Sequence, residues 1–341
     1  MMKLSSLLLA SYTLTVLQGT LIAADTLPVP PDSVLKAEGN VAFTEGPAWH
    51  PNGNVYFSDI ANSRIMRRDR TGQIHVFRTP SGRTNGLLFD HQGRLLCCEG
   101  GGVDSNRRVT RIEHDGTITV LADNYRGRKL NSPNDLAIDS RGRIYFSDPR
   151  YRDRTGIEQF DEKRQEIEGV YRIDGVGKVE RVITHEVDRP NGILVSHEDK
   201  YLYVADNVND GPRGMGGNRK LWRFDLDADG NVDPDSRMLL FDWGNDRGPD
   251  GMALDRQGRL YVAAGFNFAN PPRELAEKYR AGVYVISPAG ELLQFVPIPM
   301  DMVTNCTFGG DDLKTLFVTA GHTLWSIRTN AVGALAWPTP K

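Results

Sequence analysis

The chain of 341 residues has few cysteines and no usual zinc-binding pattern. It contains three Cys and seven scattered His residues, and neither a CxxC nor an HxxxH motif is present. Cys97 and Cys98 are adjacent and cannot bridge in ordinary geometry, which leaves Cys306 without a framework of disulfides to join. We therefore expect packing to stabilise the fold, and we do not expect a Cys/His zinc site.

The charge patterns of nucleic-acid and membrane-surface binding are also missing. The formal net charge is −3 and the pI is about 6.2, with no Lys/Arg stripe and no basic helix. These features exclude an electrostatic footprint for nucleic acid or an anionic membrane. A G-x-S-x-G motif is absent too, which disfavours a serine hydrolase. A small molecule is the expected partner.

The single long apolar run lies at the start of the chain. An early Lys3, an apolar run from Leu7, and Ala23 and Ala24 before Asp25 form the layout of a bacterial secretory signal peptide, which we place at residues 1–24. The alternative is an uncleaved anchor, but polar residues interrupt the run and it is short for a span of about 20 apolar residues. We expect a secreted or periplasmic protein without membrane contact after cleavage.

The rest of the chain repeats one phrase six times. An example is NSPNDLAIDSRGRIYFSDP, residues 131–149, and a polar residue that varies between copies precedes each apolar run. We call these six the anchor residues: Glu45, Asn85, Asn134, Asn191, Asp250 and Asn305. Successive anchors are separated by 40, 49, 57, 59 and 55 residues. Periods of this size with strand-like content indicate a propeller or another repeat array.

Each unit contains short runs typical of antiparallel strands with tight turns, such as LAID, IYFSD, GVYRID and VERVI in the third unit. Four strands in each of six units predict an all-β, six-bladed β-propeller over residues 37–330, after a linker at 25–36 and before a tail at 331–341. The last unit lacks a fourth strand, whereas SVLKAEGNV, residues 33–41, is a strand without a unit. We predict that this N-terminal strand closes the ring; the alternative is a frayed blade with an open edge.

The anchor residues predict a metal site. The innermost strands of a propeller line its channel, so residues at one repeat position converge at one mouth. Two carboxylates and two amides suit calcium, which takes six to eight oxygen ligands. The predicted ligands are Glu45, Asn134, Asn191 and Asp250, and Asn85 and Asn305 are further lining groups. The alternative is that these residues only form turns, although turn chemistry does not explain a Glu before Gly-Pro.

Four motifs in register resemble one known family. EGPAW, SPNDLAI with YFSDP, RPNGI and PDGMALD are similar, in order and spacing, to the SMP-30/gluconolactonase/luciferin-regenerating family from about Ala37 to about Arg328. The resemblance implies one divalent cation, usually calcium, on Glu45, Asn191 and Asp250, with Asn134 as a further ligand or substrate contact. It also implies hydrolysis of sugar lactones, in which the cation polarises the ester carbonyl and acidifies water. Asp250 is then the candidate general base.

Two departures from the family pattern fall on predicted rim loops. GGGVDS precedes NRRVTRI in place of the His that often follows CE, and RYR follows SDP in place of Pro-Tyr-Gly. We predict substrate contacts from Asn85, Asn134, Arg107 and Tyr151, although Arg107 and Arg108 could equally be solvated arginines at a blade edge. These departures leave the predicted metal ligands unchanged and make the substrate the open question.

Three further patterns have structural interpretations. DLDADGNVD, residues 225–233, resembles an EF-hand loop but lacks the Glu at position twelve, which favours a hairpin turn. The Gly-rich run Gly211–Lys220 matches no phosphate-binding loop and predicts a flexible rim loop or lid. The tryptophans expected to pack between blades are Trp49, Trp222, Trp243 and Trp325.

Three rival functions remain open at this point. One is a calcium-dependent esterase or phosphotriesterase that uses the same ligands. Another is a non-enzymatic propeller that binds a ligand or a protein and holds a structural ion. A third, a quinone-dependent sugar dehydrogenase, is disfavoured because no His occupies an anchor position. A fold alone does not decide among these functions.

Overall fold

The protein, described here by a computed structural model, is built from antiparallel strands. The structure describes residues 27–102, 105–151, 156–209 and 217–337. The predicted signal peptide, most of the Gly211–Lys220 run and the last four residues lie outside this part. Within it, no helix has the length and apolar character needed to cross a membrane.

The first three blades are four-stranded sheets whose strands follow one another in chain order. Blade 1 contains β2 (Thr44–Trp49), β3 (Val55–Asp59), β4 (Arg64–Arg68) and β5 (Ile74–Arg78). Blade 2 contains β6 (Thr84–Phe89), β7 (Leu95–Glu99), β8 (Arg108–Ile112) and β9 (Ile118–Ala122). Blade 3 contains β12 (Leu136–Ile138), β13 (Ile144–Asp148), β14 (Gly169–Gly175) and β15 (Lys178–Ile183). A small hairpin, β10 (Asn124–Tyr125) with β11 (Arg128–Lys129), lies between blades 2 and 3 in the chain.

Blades 4 to 6 follow the same pattern, and the sheets of blades 5 and 6 each include one further strand from outside the repeat unit. Blade 4 contains β16 (Pro190–Val195), β17 (Tyr201–Asn207), β18 (Arg219–Leu226) and β19 (Val232–Asp242). Blade 5 contains β20 (Met252–Asp255), β21 (Leu260–Ala264), β22 (Gly282–Ile286) and β23 (Leu292–Pro297). Blade 6 contains β24 (Val303–Gly309), β25 (Thr315–Ala320) and β26 (Thr323–Arg328). The predicted six-bladed all-β architecture is confirmed.

The N-terminal strand closes the ring, as the sequence predicts. Strand β1 (Lys36–Asn40) pairs antiparallel with β26 and supplies the fourth strand of blade 6. The Glu38 side chain on this strand accepts hydrogen bonds from Ser326 of blade 6 at 2.6 Å and from Arg68 of blade 1 at 2.7 Å. Glu38 therefore connects the last blade to the first, and β1 gives blade 6 the same four strands as the other blades.

The hydrophobic core is divided into six clusters, one at each blade interface. One strand contributes side chains to two blade interfaces, because successive side chains point to opposite faces of a sheet. On β3, Phe57 packs towards blade 6 and Tyr56 packs towards blade 2. The four tryptophans lie at blade interfaces, as predicted: Trp49, Trp222, Trp243 and Trp325.

The tail covers one end of the central channel. Strand β27 (Gly333–Ala334) pairs with β20, the inner strand of blade 5, and the tail then reaches blade 2, where the Ala336 carbonyl lies 3.0 Å from His91 Nδ1. Trp337 packs against His50 and Phe89 beyond it. A cavity of about 210 Å³ lies between this segment and the anchor residues. The mouth at the anchor end is therefore the one open to the rim loops.

The EF-hand-like sequence forms a hairpin turn, as predicted. It joins β18 to β19, and Asp227 Oδ1 accepts hydrogen bonds from the backbone N–H groups of Asp229 and Asn231, both at 2.8 Å. Gly230 has a φ of 76°, which the turn requires. The Asp227 carboxylate therefore stabilises the turn by accepting hydrogen bonds from the turn's own backbone.

Candidate functional site

The six anchor residues form a closed ring because the blades approach each other most closely at this level. In four units the anchor is followed by glycine: Gly46, Gly86, Gly192 and Gly251. Each of these glycines touches the neighbouring blade at or beside that blade's anchor. For example, a Cβ at Gly86 would lie 2.7 Å from the Asn134 carbonyl oxygen, and one at Gly192 would collide with the Asp250 carbonyl. Only glycine permits this approach.

Hydrogen bonds between blades fix the level of the ring. The Gly86 N–H donates to the Asn134 carbonyl at 2.7 Å, and Ser147 Oγ donates to the Asn191 carbonyl at 2.6 Å. At the closure, Thr304 Oγ1 donates to the Thr44 carbonyl at 3.1 Å. These bonds use main-chain carbonyls of the anchor strands, so the anchor side chains remain available to the channel.

Two carboxylates of the ring lie close enough to interact electrostatically. Burial, followed by the charge of Asp250, raises the pKa of Glu45 well above its usual range. Burial raises the pKa of Asp250 to about 6, although Arg247 and the Asn191 amide lower it. Each carboxylate is 3–4% exposed. Their repulsion at this buried site is a cost that a cation between them would remove.

Asp250 has one engaged and one open oxygen. Oδ2 accepts a hydrogen bond from Arg247 Nη2 at 3.1 Å, whereas Oδ1 is buried and has no hydrogen-bond partner among the described residues. Arg247 is itself held by Glu274, which accepts from Nη1 at 2.8 Å, and by the ring of Phe266 at 5.0 Å. Arg247 therefore fixes the orientation of Asp250 and leaves Oδ1 as the oxygen without a donor.

Asn191 is oriented by Tyr151. The Asn191 Nδ2 group donates to Tyr151 Oη at 2.7 Å, and the Arg189 guanidinium lies 5.2 Å from the centre of the tyrosine ring. The bond restrains rotation of the Asn191 amide, whose nitrogen also lies close enough to Asp250 to lower its pKa. Tyr151, predicted as a substrate contact, thus also contacts a predicted metal ligand.

The other predicted residues lie on the blade 2 and blade 3 side. Asn134 is buried in the ring, and Asn85 is half-buried beside it. Arg107 lies at the start of β8, where its Nε donates to the Leu130 carbonyl and its Nη2 donates to the Gly156 carbonyl at 3.0 Å. Arg108 instead pairs with Glu99 at 2.8 Å. Arg107 faces the rim of the open mouth, and Arg108 belongs to an internal ion pair.

Sequence reasoning missed Asp135 and Arg247. Asp135 is 7% exposed, its Oδ2 accepts from the Ile193 N–H at 3.4 Å, and burial raises its pKa to about 7. Its signal was visible, because Asp135 stands where four other units have glycine after the anchor. Arg247 gave no such signal, since Glu274, the carboxylate that holds it, lies 27 residues further along the chain.

The residues present fit a hard divalent cation. They offer the open Asp250 Oδ1, the Glu45 carboxylate and the Asn191 Oδ1, with Asn134 next in the ring, and oxygen is the donor that calcium prefers. Among the described residues, no three His, Cys, Asp or Glu side chains cluster as metal ligands, so amide oxygens would have to complete the set. The three cysteines are buried and unbridged and lie outside this ring of oxygens.

Fold and site together define a six-bladed propeller with an oxygen-lined centre at the open mouth of its channel. The chain belongs to the SMP-30/gluconolactonase/LRE-like family, whose model matches residues 43–322. It is 30% identical over 317 residues to a gluconolactonase of Zymomonas mobilis subsp. mobilis, covering 86% of this chain and 80% of that protein. The resemblance inferred from the four motifs is therefore confirmed.

Two further relatives support the same assignment. A 6-deoxy-6-sulfogluconolactonase of Pseudomonas putida is 27% identical over 284 residues, covering 82% of this chain and 83% of that protein. The solved structure of a gluconolactonase from Xanthomonas campestris superposes with a TM-score of 0.71 at 27% identity, covering 90% of this chain and 93% of that chain.

Proposed function

We propose that the protein hydrolyses a sugar lactone and depends on a divalent cation, calcium by preference, held by Glu45, Asn191 and Asp250 with Asn134 beside them. The names of the relatives support the lactonase class. The observation that carries the cation is the buried pair Glu45 and Asp250, in which Asp250 Oδ1 has no hydrogen-bond partner among the described residues. Two repelling buried carboxylates, one of which has a buried oxygen without a donor among the described residues, match the requirements of a cation site.

Several residues of the chain hold the proposed cation ligands in place. A divalent cation, when bound, supplies Lewis acidity to the ester carbonyl and makes water more acidic. Tyr151 and Arg247 hold Asn191 and Asp250 in the orientation that such a site needs, by the hydrogen bonds of 2.7 and 3.1 Å. The tail covers the far end of the channel, so substrate enters from the rim at the open mouth.

Asp250 is the general base of this proposal. A base must accept a proton from the attacking water and later return it to the leaving alkoxide of the opened ring. Oδ2 is held by Arg247, so proton transfer falls to Oδ1, which has a second lone pair besides the one that a cation would take. Glu45 differs, because its Oε2 accepts the Gly46 N–H at 2.7 Å and no ion pair accompanies it among the described residues. We assign Glu45 a holding role only.

Asn85 and Asn134 lie in the ring beside the proposed cation ligands, and Arg107 stands at the rim on the same side. We propose these three as substrate contacts. The predicted export of the protein likewise remains part of the proposal, with the reaction taking place outside the cytoplasm.

The experiment is an assay of the purified protein on gluconolactones after removal of cations with a chelator and re-addition of single metals. We expect hydrolysis to fall by at least about 100-fold with the chelator and to return with calcium. Aryl esters and a phosphotriester serve as competing substrates. Full activity in chelator would refute the cation dependence, and turnover of the esters without turnover of lactones would refute the substrate class.

A further inference from the structure

A second group of charged side chains lies at the open mouth, between blades 2 and 3. The segment Gly100–Gly102 leaves β7 there and is flanked by Arg83, Arg107 and Arg150. A Cβ at Gly101 would collide with Arg150 Nη1, and one at Gly102 would lie 3.2 Å from Arg83 Nε. We call these three side chains the arginine cluster. The glycines make room for the guanidinium groups on both sides of the segment.

Main-chain bonds hold the cluster in place. The Gly100 N–H donates to the Arg83 carbonyl at 3.2 Å, and the Arg107 N–H donates to the Gly100 carbonyl at 3.3 Å. From blade 3, Ser132 Oγ accepts the Gly101 N–H at 2.6 Å. Arg83 therefore lies two residues before Asn85, and Ser132, which holds the Gly100–Gly102 segment, lies two residues before Asn134.

The charge of Arg83 is not neutralised within the described residues. Arg83 makes no ion pair there, and its Nε is buried without a hydrogen-bond partner. Leaving a buried guanidinium N–H unpaired is costly, and Arg83 has a φ of 57°, in the region that non-glycine residues rarely adopt. A buried donor without a partner calls for an explanation, and a bound anion is one.

Arg107 adds a second cation with little compensation. Its hydrogen bonds go to main-chain carbonyls, and the nearest carboxylate oxygen, on Glu158, is 3.7 Å from Nη1. Burial and the neighbouring Arg150 guanidinium lower the pKa of Arg107, whereas Glu158 and Asp148 act to raise it, so the repulsion between the two guanidinium groups is only partly balanced. An anion would relieve this repulsion as well as satisfy the open donors.

We propose that the arginine cluster binds an anionic substituent of the substrate, such as a carboxylate or sulfonate, at the end remote from the ester. The proposal rests on the lactonase function and names its substrate class as anionic sugar lactones. Arg83 is the primary contact and Arg107 the second. The planar fork of an arginine matches carboxylate and sulfonate oxygens better than it matches a neutral hydroxyl.

The test compares two lactones that differ in one group. D-Glucaro-1,4-lactone carries a carboxylate where D-glucono-1,4-lactone carries a hydroxymethyl group. We expect the wild-type protein to favour the glucaro compound in kcat/KM. Arg83→Gln should lower kcat/KM for it by about 10–100-fold, mainly through KM, and change that for the glucono compound by less than about twofold. Arg83→Lys should recover part of the preference, because it keeps the charge and loses the fork.

Arg70→Gln is the matched control. Arg70 pairs with Asp311 on the opposite face of the propeller, so the preference should be unchanged. The preference should also weaken as salt rises, since exposed charges are screened. Equal loss on both lactones in Arg83→Gln, or no loss on either, would overturn the proposal.

A binding measurement separates this proposal from the lactonase function. Glucarate and gluconate, the open-chain products, differ in the same group and need no turnover. If the protein hydrolyses no lactone yet binds glucarate more tightly than gluconate, in a manner that Arg83→Gln abolishes, the lactonase function fails and the anion site stands. Absence of any such difference in binding and in turnover overturns the anion site.

Discussion

Asn191 donates its amide N–H to Tyr151 Oη at 2.7 Å, and this bond joins a ring residue of blade 4 to the rim loop of blade 3. An asparagine amide has two ends that differ in chemistry, and only the oxygen can coordinate a cation. By engaging one N–H of the amide, Tyr151 restrains the rotation of the Asn191 side chain.

This relationship predicts the effect of Tyr151→Phe. Removal of the hydroxyl frees the Asn191 amide to rotate, so calcium affinity should fall by about 10-fold, within the range found for partners of metal ligands. Titration calorimetry with calcium measures it directly. Tyr125→Phe is the control, because Tyr125 lies on the hairpin between blades 2 and 3 and should leave affinity unchanged. An unaltered affinity in Tyr151→Phe would show that the bond does not orient Asn191.

The closure of the ring predicts a loss of stability in Glu38→Gln. Glu38 is 5% exposed and bridges blades 6 and 1, so the change weakens two charge-assisted bonds and should cost about 1–3 kcal/mol in free energy of unfolding at pH 7. Urea denaturation followed by tryptophan fluorescence measures the cost. Glu291→Gln, on the exposed turn of blade 5, should be neutral.

The same position gives a pH dependence with a definite sign. Burial acts to raise the pKa of Glu38, and the hydrogen bonds from Ser326 and Arg68 together outweigh it, so the pKa lies below its usual value of 4.5. A depressed carboxyl pKa stabilises the fold above the unfolded pKa, and this contribution is lost as pH falls through the folded value. The stability gap between wild type and Glu38→Gln should therefore shrink below about pH 4.5. A gap that is constant from pH 7 to pH 3 would contradict this account.

The hairpin at Asp227 predicts an absence of effect on activity. Asp227 binds its own turn, and Asp229 is exposed, so Asp227→Asn with Asp229→Asn should leave calcium-dependent turnover unchanged. Lactone hydrolysis at limiting calcium is the sensitive measurement. A large loss would mean that this turn binds a functional ion.

The fold could be predicted because each blade of a propeller repeats the same strand pattern in the sequence. Each blade needs the same four strands, and each inner strand begins at the same height, so Glu45 and Asp250 could be placed in one ring across about two hundred residues of chain. The closure by β1 followed from a missing strand at one end and a spare strand at the other. Both inferences rest on the order and spacing of short strand segments, which can be recognised in the sequence itself.

The supporting residues could not be predicted because their contacts depend on loop paths. Arg247 reaches Asp250 and Glu274 at once only because the loop before β20 passes the loop after β21. Arg83 carries only a weak repeat signal, since blade 4 has Arg189 at that position but blades 1, 3, 5 and 6 have Phe43, Ser132, Gly248 and Val303. Asp135 was within reach of the sequence, as the carboxylate that replaces glycine in blade 3.

The most direct test of the central claim compares Asp250→Asn with Glu45→Gln. Both remove one charge from the same site, and both keep one carbonyl oxygen for the cation, but only Asp250 is assigned proton transfer. At saturating calcium, with occupancy checked by calorimetry, we predict that kcat for lactone hydrolysis falls by about 10²–10⁴-fold in Asp250→Asn and clearly less in Glu45→Gln. Equal losses would contradict the assignment of Asp250 as base, and full activity in both variants would contradict the catalytic site itself.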